Sequence, residues 1–470
     1  MRSAEHMRTR LIWAFSLLFA LSVASRAQQP AAGLDEQVIR SAIEAALNVA
    51  PRHIQALVSP NQAGVRLVDV EVERLGDGRD RITIDLNQRA LTYGDDVEHL
   101  TAHLIERTAR LTAGSGHVDY HFLVGGVPLD QFVSRPAGPQ RQSLQVGVPR
   151  RVVISAGHGW YRHEPSNSWR LQRDYFWGIV EDLVNWEITH YLRLELLTSD
   201  FDVRPARHPD RNAGGGVSGH PRWQESAKYY IRDLGAPSST WDFGVDDYAK
   251  DINSRPFYAN WIDAALMVSI HNNGGQATGT ETWYDTSNAF ESESRRLAEI
   301  VNSKVVSAIR ARFNPTWVDR GLRSCNGCKG ETRLAARPAV LVEVAFMDTK
   351  SPDNDALHSE AFKLFVAQAI RDGIQEFVGT GAGGSDPAAR VRTELIARAA
   401  RDARFGEVVA GSSGADMNWD AGWELRWLDF HFAGDRRVRL YHAVSRTDPR
   451  ARFVGFWDPD TNTWQGWERV

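Results

Sequence analysis

Four ionisable residues of this chain stand at or near the ends of apolar runs: His158, Glu181, His271 and Glu343. Two neutral imidazoles and one carboxylate are the ligand set of a catalytic zinc ion that keeps one coordination position open. A further carboxylate beside such an ion can act as the base for a water molecule. The four residue types therefore predict metal-assisted hydrolysis.

Three of these residues are associated with predicted strands of a parallel sheet. His158 follows a strand at 151–155, His271 follows one at 266–270, and Glu343 lies near the end of one at 339–344. In doubly wound sheets, ligands collect outside the carboxyl ends of the strands. We therefore expect the three side chains at the same edge of the sheet, close enough to serve one site.

Glu343 is unusual because it interrupts an otherwise apolar run, Ala339 to Phe346. Burying an unpaired carboxylate costs on the order of several kcal/mol, so a functional reason is the better explanation. His271 is followed by Asn-Asn-Gly-Gly, which is typical of a loop at a site.

The third metal ligand must come from another element. Glu181 begins a predicted helix whose apolar residues recur at helical spacing. The first turn of such a helix can face the edge of the sheet. Other carboxylates compete for the same role, namely Asp174, Asp182 and Glu187. The residues alone leave this choice open.

The chain has 470 residues, which predicts two to four domains. Its hydrophobic fraction of 42% and charged fraction of 24% are those of an ordinary globular protein. A net charge of -4 argues against nucleic acid as a partner, because binding phosphates calls for an excess of basic residues.

The first residues follow the pattern of a secretory signal peptide. Arg2, Arg8 and Arg10 precede a short apolar stretch, and Ala24 to Ala27 offers a cleavage site. We expect residues 1–27 to be removed and the mature protein to have no stable membrane span. The expected destination is the periplasm, the cell envelope or the extracellular space. An uncleaved anchor is the alternative.

The rest of the chain divides into four segments by pattern. Residues 31–145 are predicted to form a small α/β domain, and residues 150–378 a twisted, mostly parallel sheet with helices on both faces. Residues 379–394 are a predicted linker, and 395–470 a small Trp-rich β domain. Short motifs in 31–145 resemble GerM-type modules, although a folded spacer or docking domain is the favoured interpretation.

The two cysteines, Cys325 and Cys328, are spaced Cys-x-x-Cys. In an exported protein this spacing favours a local disulfide. A redox motif or half of a zinc knuckle is the weaker alternative.

Four motifs in order resemble the zinc-dependent N-acetylmuramoyl-L-alanine amidases. They are Ser-Ala-Gly-His158-Gly, Glu181-Asp-Leu-Val-Asn, Ser-Ile-His271-Asn-Asn with a following Gly-Thr-Glu-Thr-Trp-Tyr, and Val-Leu-Val-Glu343-Val-Ala-Phe. The resemblance covers about residues 150 to 378. It implies that His158, Glu181 and His271 hold Zn²⁺ and that Glu343 is catalytic. It also implies that the substrate is peptidoglycan, cut between N-acetylmuramic acid and L-alanine.

Two other functions remain open at this point. The non-haem Fe(II) oxygenases also use two histidines and one carboxylate, although exported proteins rarely depend on ferrous iron. A cell-wall binding protein that only regulates other enzymes would need none of the four residues. The long stretch between Glu181 and His271 could shape or cover the site, and a protein activator is conceivable.

Overall fold

The computed structural model describes residues 33–49, 68–86, 97–134, 150–196 and 201–378, and the backbone of five strands between residues 408 and 469. The predicted signal peptide (1–27) and linker (379–394) lie outside the described residues. In the part of the chain that is described, no helix combines the length and the apolar character needed to cross a bilayer.

One ten-stranded mixed sheet organises these residues, apart from the strands beyond 408. Its main strands are β1 (Asp69–Arg74), β2 (Asp80–Leu86), β3 (His117–Val124), β4 (Arg150–Ala156), β5 (Phe201–Pro205), β6 (Leu266–Asn273), β7 (Thr280–Asp285), β8 (Asp319–Cys325) and β9 (Ala339–Phe346). Their order is β1-β2-β3-β8-β7-β9-β6-β4-β5, and the two-residue strand Val127–Pro128 pairs with β3. The β1–β2 and β7–β9 pairs and the pair of Val127–Pro128 with β3 are antiparallel, and the other pairs are parallel.

The central strands β4, β6 and β9 are buried on both faces, which their sequences explain. All eight residues of β9, including Glu343, are buried, and so are seven of the eight in β6. Strands covered on both sides read as continuous apolar runs rather than as alternating patterns. The predicted mostly parallel α/β fold is confirmed.

Helices cover the two faces of this sheet. The main ones are α1 (Glu36–Val49), α2 (Val97–Thr108), α3 (Glu181–Leu196), α4 (Ala227–Asp233), α5 (Asp247–Trp261), α6 (Glu291–Arg312) and α8 (Glu360–Phe377), and the four-residue helix α7 (Gly330–Arg333) lies beside the predicted site. One core joins Ile154 to α3, α6 and α8, whereas the neighbouring Val153 packs with α4 and α5. Successive strand residues face opposite sides, so each central strand contributes to both cores.

Short elements fill the connections. Two small hairpins pair Tyr161–His163 with Ser168–Arg170 and Tyr175–Phe176 with Ile179–Val180, between β4 and α3. The remaining short helices are Leu129–Gln131, Glu164–Ser166, Arg222–Gln224, Ser238–Trp241, Lys350–Asn354 and Asp355–Leu357.

The N-terminal segment extends the same sheet. Strand β3 pairs in parallel with β8, with Leu322 opposite His117, so β1 to β3 form one end of the sheet. The core of this segment also contains Trp283 and Leu341 from β7 and β9. Tyr120 stacks on Trp283 with ring centroids 5.8 Å apart. The described residues between 33 and 134 therefore share a core with the sheet that carries the predicted site.

A buried cluster of charged residues stabilises the contact between the N-terminal segment and the rest of the sheet. Glu281 accepts a hydrogen bond from Arg320 at 2.6 Å and lies 3.3 Å from Arg323. Both arginines also donate to backbone carbonyls of the N-terminal segment, those of Ala109 and Thr112. Burial opposes the charge on Glu281, but the two guanidinium groups hold the pKa of its carboxyl below the usual value.

The C-terminal strands form a separate sheet in sequence order. They are β10 (Val408–Asp420), β11 (Trp423–Phe432), β12 (Arg437–Ser445), β13 (Arg452–Asp458) and β14 (Thr463–Arg469). Each pairs antiparallel with the next.

We expect Arg320→Ala to lower the free energy of unfolding by about 3–5 kcal/mol, because it leaves a buried carboxylate without its main partner. Arg295→Ala is the matched control, since Arg295 pairs with Glu299 on the surface, where their side chains are 38% and 51% exposed. Its cost should stay within about 1 kcal/mol. Urea unfolding measures both values, and similar costs would contradict this role for the cluster.

Candidate metal centre

The four predicted residues meet at one edge of the sheet. His158 follows the end of β4, His271 lies near the end of β6, and Glu343 is its neighbour on β9. Glu181 is the first residue of α3. All four side chains line the same cavity, whose volume is about 250 Å³.

His158, Glu181 and His271 form a tight cluster within it. Oε1 of Glu181 lies 3.1 Å from Nε2 of His158 and 3.1 Å from Nδ1 of His271. One nitrogen or oxygen atom from each residue lies within 4.8 Å of the other two. The two imidazole rings are nearly perpendicular, with centroids 4.7 Å apart. Two nitrogens and one carboxylate oxygen therefore face one small volume.

Each imidazole is oriented through its other nitrogen. Nδ1 of His158 lies 2.8 Å from Oε1 of Gln172, whose amide nitrogen donates to Asp251, so the amide oxygen faces the ring and accepts. Nε2 of His271 lies 2.9 Å from Oε1 of Glu331, which can only accept when ionised. Metal-ligating histidines commonly donate their second N–H in this way.

These outer hydrogen bonds decide what the cluster can bind. When each ring donates its one N–H outward, its inner nitrogen presents a lone pair towards the Glu181 carboxylate. Such an arrangement repels itself unless a cation lies between the three groups. The donor set therefore fits a divalent metal ion, held by His158, Glu181 and His271.

Without a metal, a proton can take part of that role. Burial alone would lower the pKa of His271, but the charge of Glu331 and the hydrogen bonds to Glu181 and Glu331 raise it to about 9. Burial and the nearby Arg173 lower the pKa of His158. Burial opposes the charge on Glu181, yet the two histidines hold the pKa of its carboxyl well below the usual value. Metal binding then displaces a proton from the cluster.

The structure also shows which of the four candidate carboxylates lies beside the two histidines. Asp182 accepts the backbone N–H groups of Gly159 and Gln172, so it holds the loop in place. Glu187 pairs with Lys363 on the far side of α3. Asp174 is exposed at the cavity wall. Of these carboxylates, only Glu181 lies in the cluster with both histidines.

The backbone at Gly157 and His158 has two features that bring the imidazoles of His158 and His271 close together. His158 itself adopts a left-handed conformation with φ 62°, which costs a non-glycine residue on the order of 1 kcal/mol or more. A Cβ atom on the preceding Gly157 would lie 2.2 Å from Cε1 of His271. Only glycine at 157 allows the two rings to come this close.

Glu343 lies beside the cluster but is not part of it. It stands opposite His271 on one neighbouring strand and opposite Glu281 on the other. It is 6% exposed, and its Oε2 has no hydrogen-bond partner among the described residues. Burial is the main reason that the pKa of Glu343 is raised to about 7, and the charges of Glu181 and Glu281 add to the shift. Glu343 therefore lines the cavity with a carboxyl group, one oxygen of which has no partner among the described residues.

Gln172 and Glu331 were not identified from the sequence. Gln172 lies in the connection between β4 and α3, where no periodic pattern marks its role. Glu331 lies on the four-residue helix α7, just after Cys325 and Cys328, which form the expected disulfide with an S–S distance of 1.98 Å. The cysteine pair was the one signal in the sequence that could have drawn attention to this loop.

We expect Glu331→Gln to weaken zinc affinity about 10- to 100-fold, because it removes the charge that orients His271 while preserving side-chain shape. Competition with a fluorescent chelator measures the affinity. The control is Glu376→Gln, a residue paired with Lys304 at the surface and 52% exposed. An unchanged affinity in Glu331→Gln would show that the contact does not support the metal site.

Comparisons with known proteins find relatives of the part of the chain that contains this cluster. Residues 152–376 match the model of the Amidase_3 family, described as N-acetylmuramoyl-L-alanine amidase. A protein of Bacillus subtilis, YqiI, is 36% identical over 135 residues, which are 28% of this chain and 60% of that protein. A cell wall amidase of Bacillus anthracis, itself uncharacterised, is 35% identical over 133 residues, or 27% of this chain and 23% of that protein.

Solved structures with similarity to this chain include an N-acetylmuramoyl-L-alanine amidase from Clostridium difficile 630. It is 24% identical, with a TM-score of 0.34, over 50% of this chain and 99% of that one. The catalytic domain of CwlV, an amidase from Bacillus (Paenibacillus) polymyxa, is 23% identical with a TM-score of 0.34, over 49% and 98% of the two chains. The match to the family model spans β4 to α8 and contains all four predicted site residues. Residues 152–376 of this chain are therefore similar to the N-acetylmuramoyl-L-alanine amidase family, and the chain spans less than two thirds of the curated relatives that it matches.

Proposed function

We propose that the protein is a zinc-dependent hydrolase of peptidoglycan that cuts the amide bond between N-acetylmuramic acid and L-alanine. The observation that carries the proposal is the cluster of His158, Glu181 and His271 beside Glu343, which lines the same cavity. Similarity to the amidase family supports the choice of bond. The predicted signal peptide supports export to the compartment that holds this substrate.

The donor atoms of the cluster support zinc as the metal. Two imidazole nitrogens and one carboxylate oxygen leave a coordination position open, which is typical of catalytic zinc sites. When bound there, zinc would polarise the amide carbonyl and acidify a water molecule. Gln172 and Glu331 keep the two rings oriented for binding.

Glu343 supplies the proton transfers. Its carboxylate takes a proton from the water that attacks the carbonyl carbon of the lactyl group, and the C–N bond then breaks. The same carboxyl group returns the proton to the nitrogen of the departing L-alanine. The products are the carboxylic acid of the muramyl residue and a peptide with a free amino terminus. A buried carboxylate with no other partner for Oε2 is suited to this exchange.

The first test compares wild-type and Glu343→Gln protein on purified peptidoglycan. We expect the wild type to release free stem peptides and the variant to be slower by about 100- to 10,000-fold, as for loss of a general base. Mass spectrometry of the products identifies the bond that is cut. Zinc content should be equal in both proteins, because Glu343 is not in the ligand cluster.

The control for this variant is Glu299→Gln, which removes an exposed carboxylate on α6 and should leave the rate unchanged. Equal rates for Glu343→Gln and the wild type would remove Glu343 from the mechanism. A wild-type protein that releases no free stem peptide would overturn the proposed function and favour a cell-wall binding protein.

Metal removal tests the second part of the proposal. We expect a chelator to abolish activity and Zn²⁺ to restore it. Protein loaded anaerobically with Fe²⁺ and then given O₂ and an oxygenase co-substrate should form no oxidised product. Metal should also raise the melting temperature, since a ligand that binds only the folded state stabilises it. His158→Ala should lose both effects. Full activity after chelation would exclude a metal-dependent reaction.

A further inference from the structure

Helix α2 of the N-terminal segment forms part of the cavity that contains the metal centre. Its cavity-lining residues share one face of the helix and are Glu98, His99, Ala102, Ile105 and Glu106. Their spacing of three and four residues is that of a single helical stripe. The helix lies outside the segment that matches the amidase family model, residues 152–376. These five residues, called the α2 wall below, therefore lie outside the part of the chain that matches the family.

The opposite face of α2 is held in the core of the N-terminal segment. Val97, Leu100 and Leu104 are at most 2% exposed and pack with residues of β2 and β3. The same core includes Trp283 and Leu341, which also line the cavity. One layer of apolar side chains thus connects the helix to the strands beside the site.

Specific contacts fix the helix against the loops of the site. Oε2 of Glu98 accepts the backbone N–H of Gly330 at 3.0 Å, one residue before Glu331. The loop after His271 also approaches α2. A Cβ atom on Gly275, at φ +104°, would lie 2.3 Å from the carbonyl oxygen of Glu106. Arg110 donates to the carbonyl of Gln276 at 2.8 Å. The position of the wall is therefore coupled to both loops that support His271.

We propose that α2 is a substrate-contacting wall of the active site and that the small side chain of Ala102 determines which muramoyl peptides fit. This inference rests on the proposed amidase function. Ala102 has the smallest side chain of the five and lies one turn from Glu98 and His99 on one side and from Ile105 and Glu106 on the other. A cavity of about 250 Å³ is small beside typical ligand sites of roughly 300–1,000 Å³. A substrate that brings its amide to the cluster must then pass close to this wall.

The test uses Ala102→Trp in the full chain, with a soluble muramoyl-L-alanyl peptide as substrate. A tryptophan would fill much of the cavity, so we expect kcat/KM to fall about tenfold or more. The loss should be mainly in KM, since the metal ligands and Glu343 are unchanged. Zinc content and melting temperature should stay close to those of the wild type.

Arg107→Trp is the matched control, because it puts the same side chain on the exposed side of the same helix. It should leave kcat/KM within about twofold of the wild type. Ala102→Leu gives a milder variant in case Ala102→Trp does not fold, and its KM should lie between those of wild type and Ala102→Trp. Glu106→Ala widens the cavity and should change KM more than kcat.

The outcomes separate this inference from the proposed function. An active wild type whose KM is unaffected by Ala102→Leu and Ala102→Trp would overturn the role of α2 and leave the amidase proposal standing. A wild type that does not cut the muramoyl-L-alanyl bond would overturn the amidase proposal itself. An effect of equal size in Arg107→Trp would also overturn the inference, because a general disturbance of the helix would then explain the loss.

Discussion

The site depends on one carboxylate oxygen, Oε1 of Glu181, held 3.1 Å from a nitrogen of each of two buried histidines. The outer nitrogens of both rings face acceptors, so the inner nitrogens and the carboxylate need a metal ion or a shared proton between them. Much of the surrounding structure serves this constraint. Glycine at 157 admits the second ring, and the strained backbone of His158 aims the first.

The same constraint explains why supporting residues come from so many segments. Gln172 is on the connection before α3, Glu331 on α7, and Asp251, which fixes the amide of Gln172, on α5. Each of these partners is itself tied to the sheet or to a neighbouring loop; Arg255, for example, pairs with Asp251 and donates to the carbonyl of His158. The ligands are positioned by a network rather than by their own strands alone.

The sequence predicted strands β4, β6 and β9 and the proximity of His158, His271 and Glu343 at one edge of the sheet, because apolar runs with polar residues near their carboxyl ends have a direct structural meaning in parallel sheets. Glu181 could be chosen over Asp182 as the third metal ligand only from the family resemblance or from the structure. Adjacent carboxylates on a helix differ only in the direction they face. Gln172 and the wall formed by α2 could not be predicted. Their roles depend on contacts between segments that carry no shared pattern.

The position of β3 in the sheet has a consequence for how the protein folds. Its partner in the sheet is β8, and His117 pairs with Leu322, which lies about 200 residues later in the chain. Such distant pairing is slow to form and comes late in folding. Until β8 has been made, the N-terminal strands have no place in the sheet, and α2 cannot close the cavity. A chain that ends before β8 would therefore lack the strand on which the N-terminal segment docks, and α2 would not line the cavity of the metal centre.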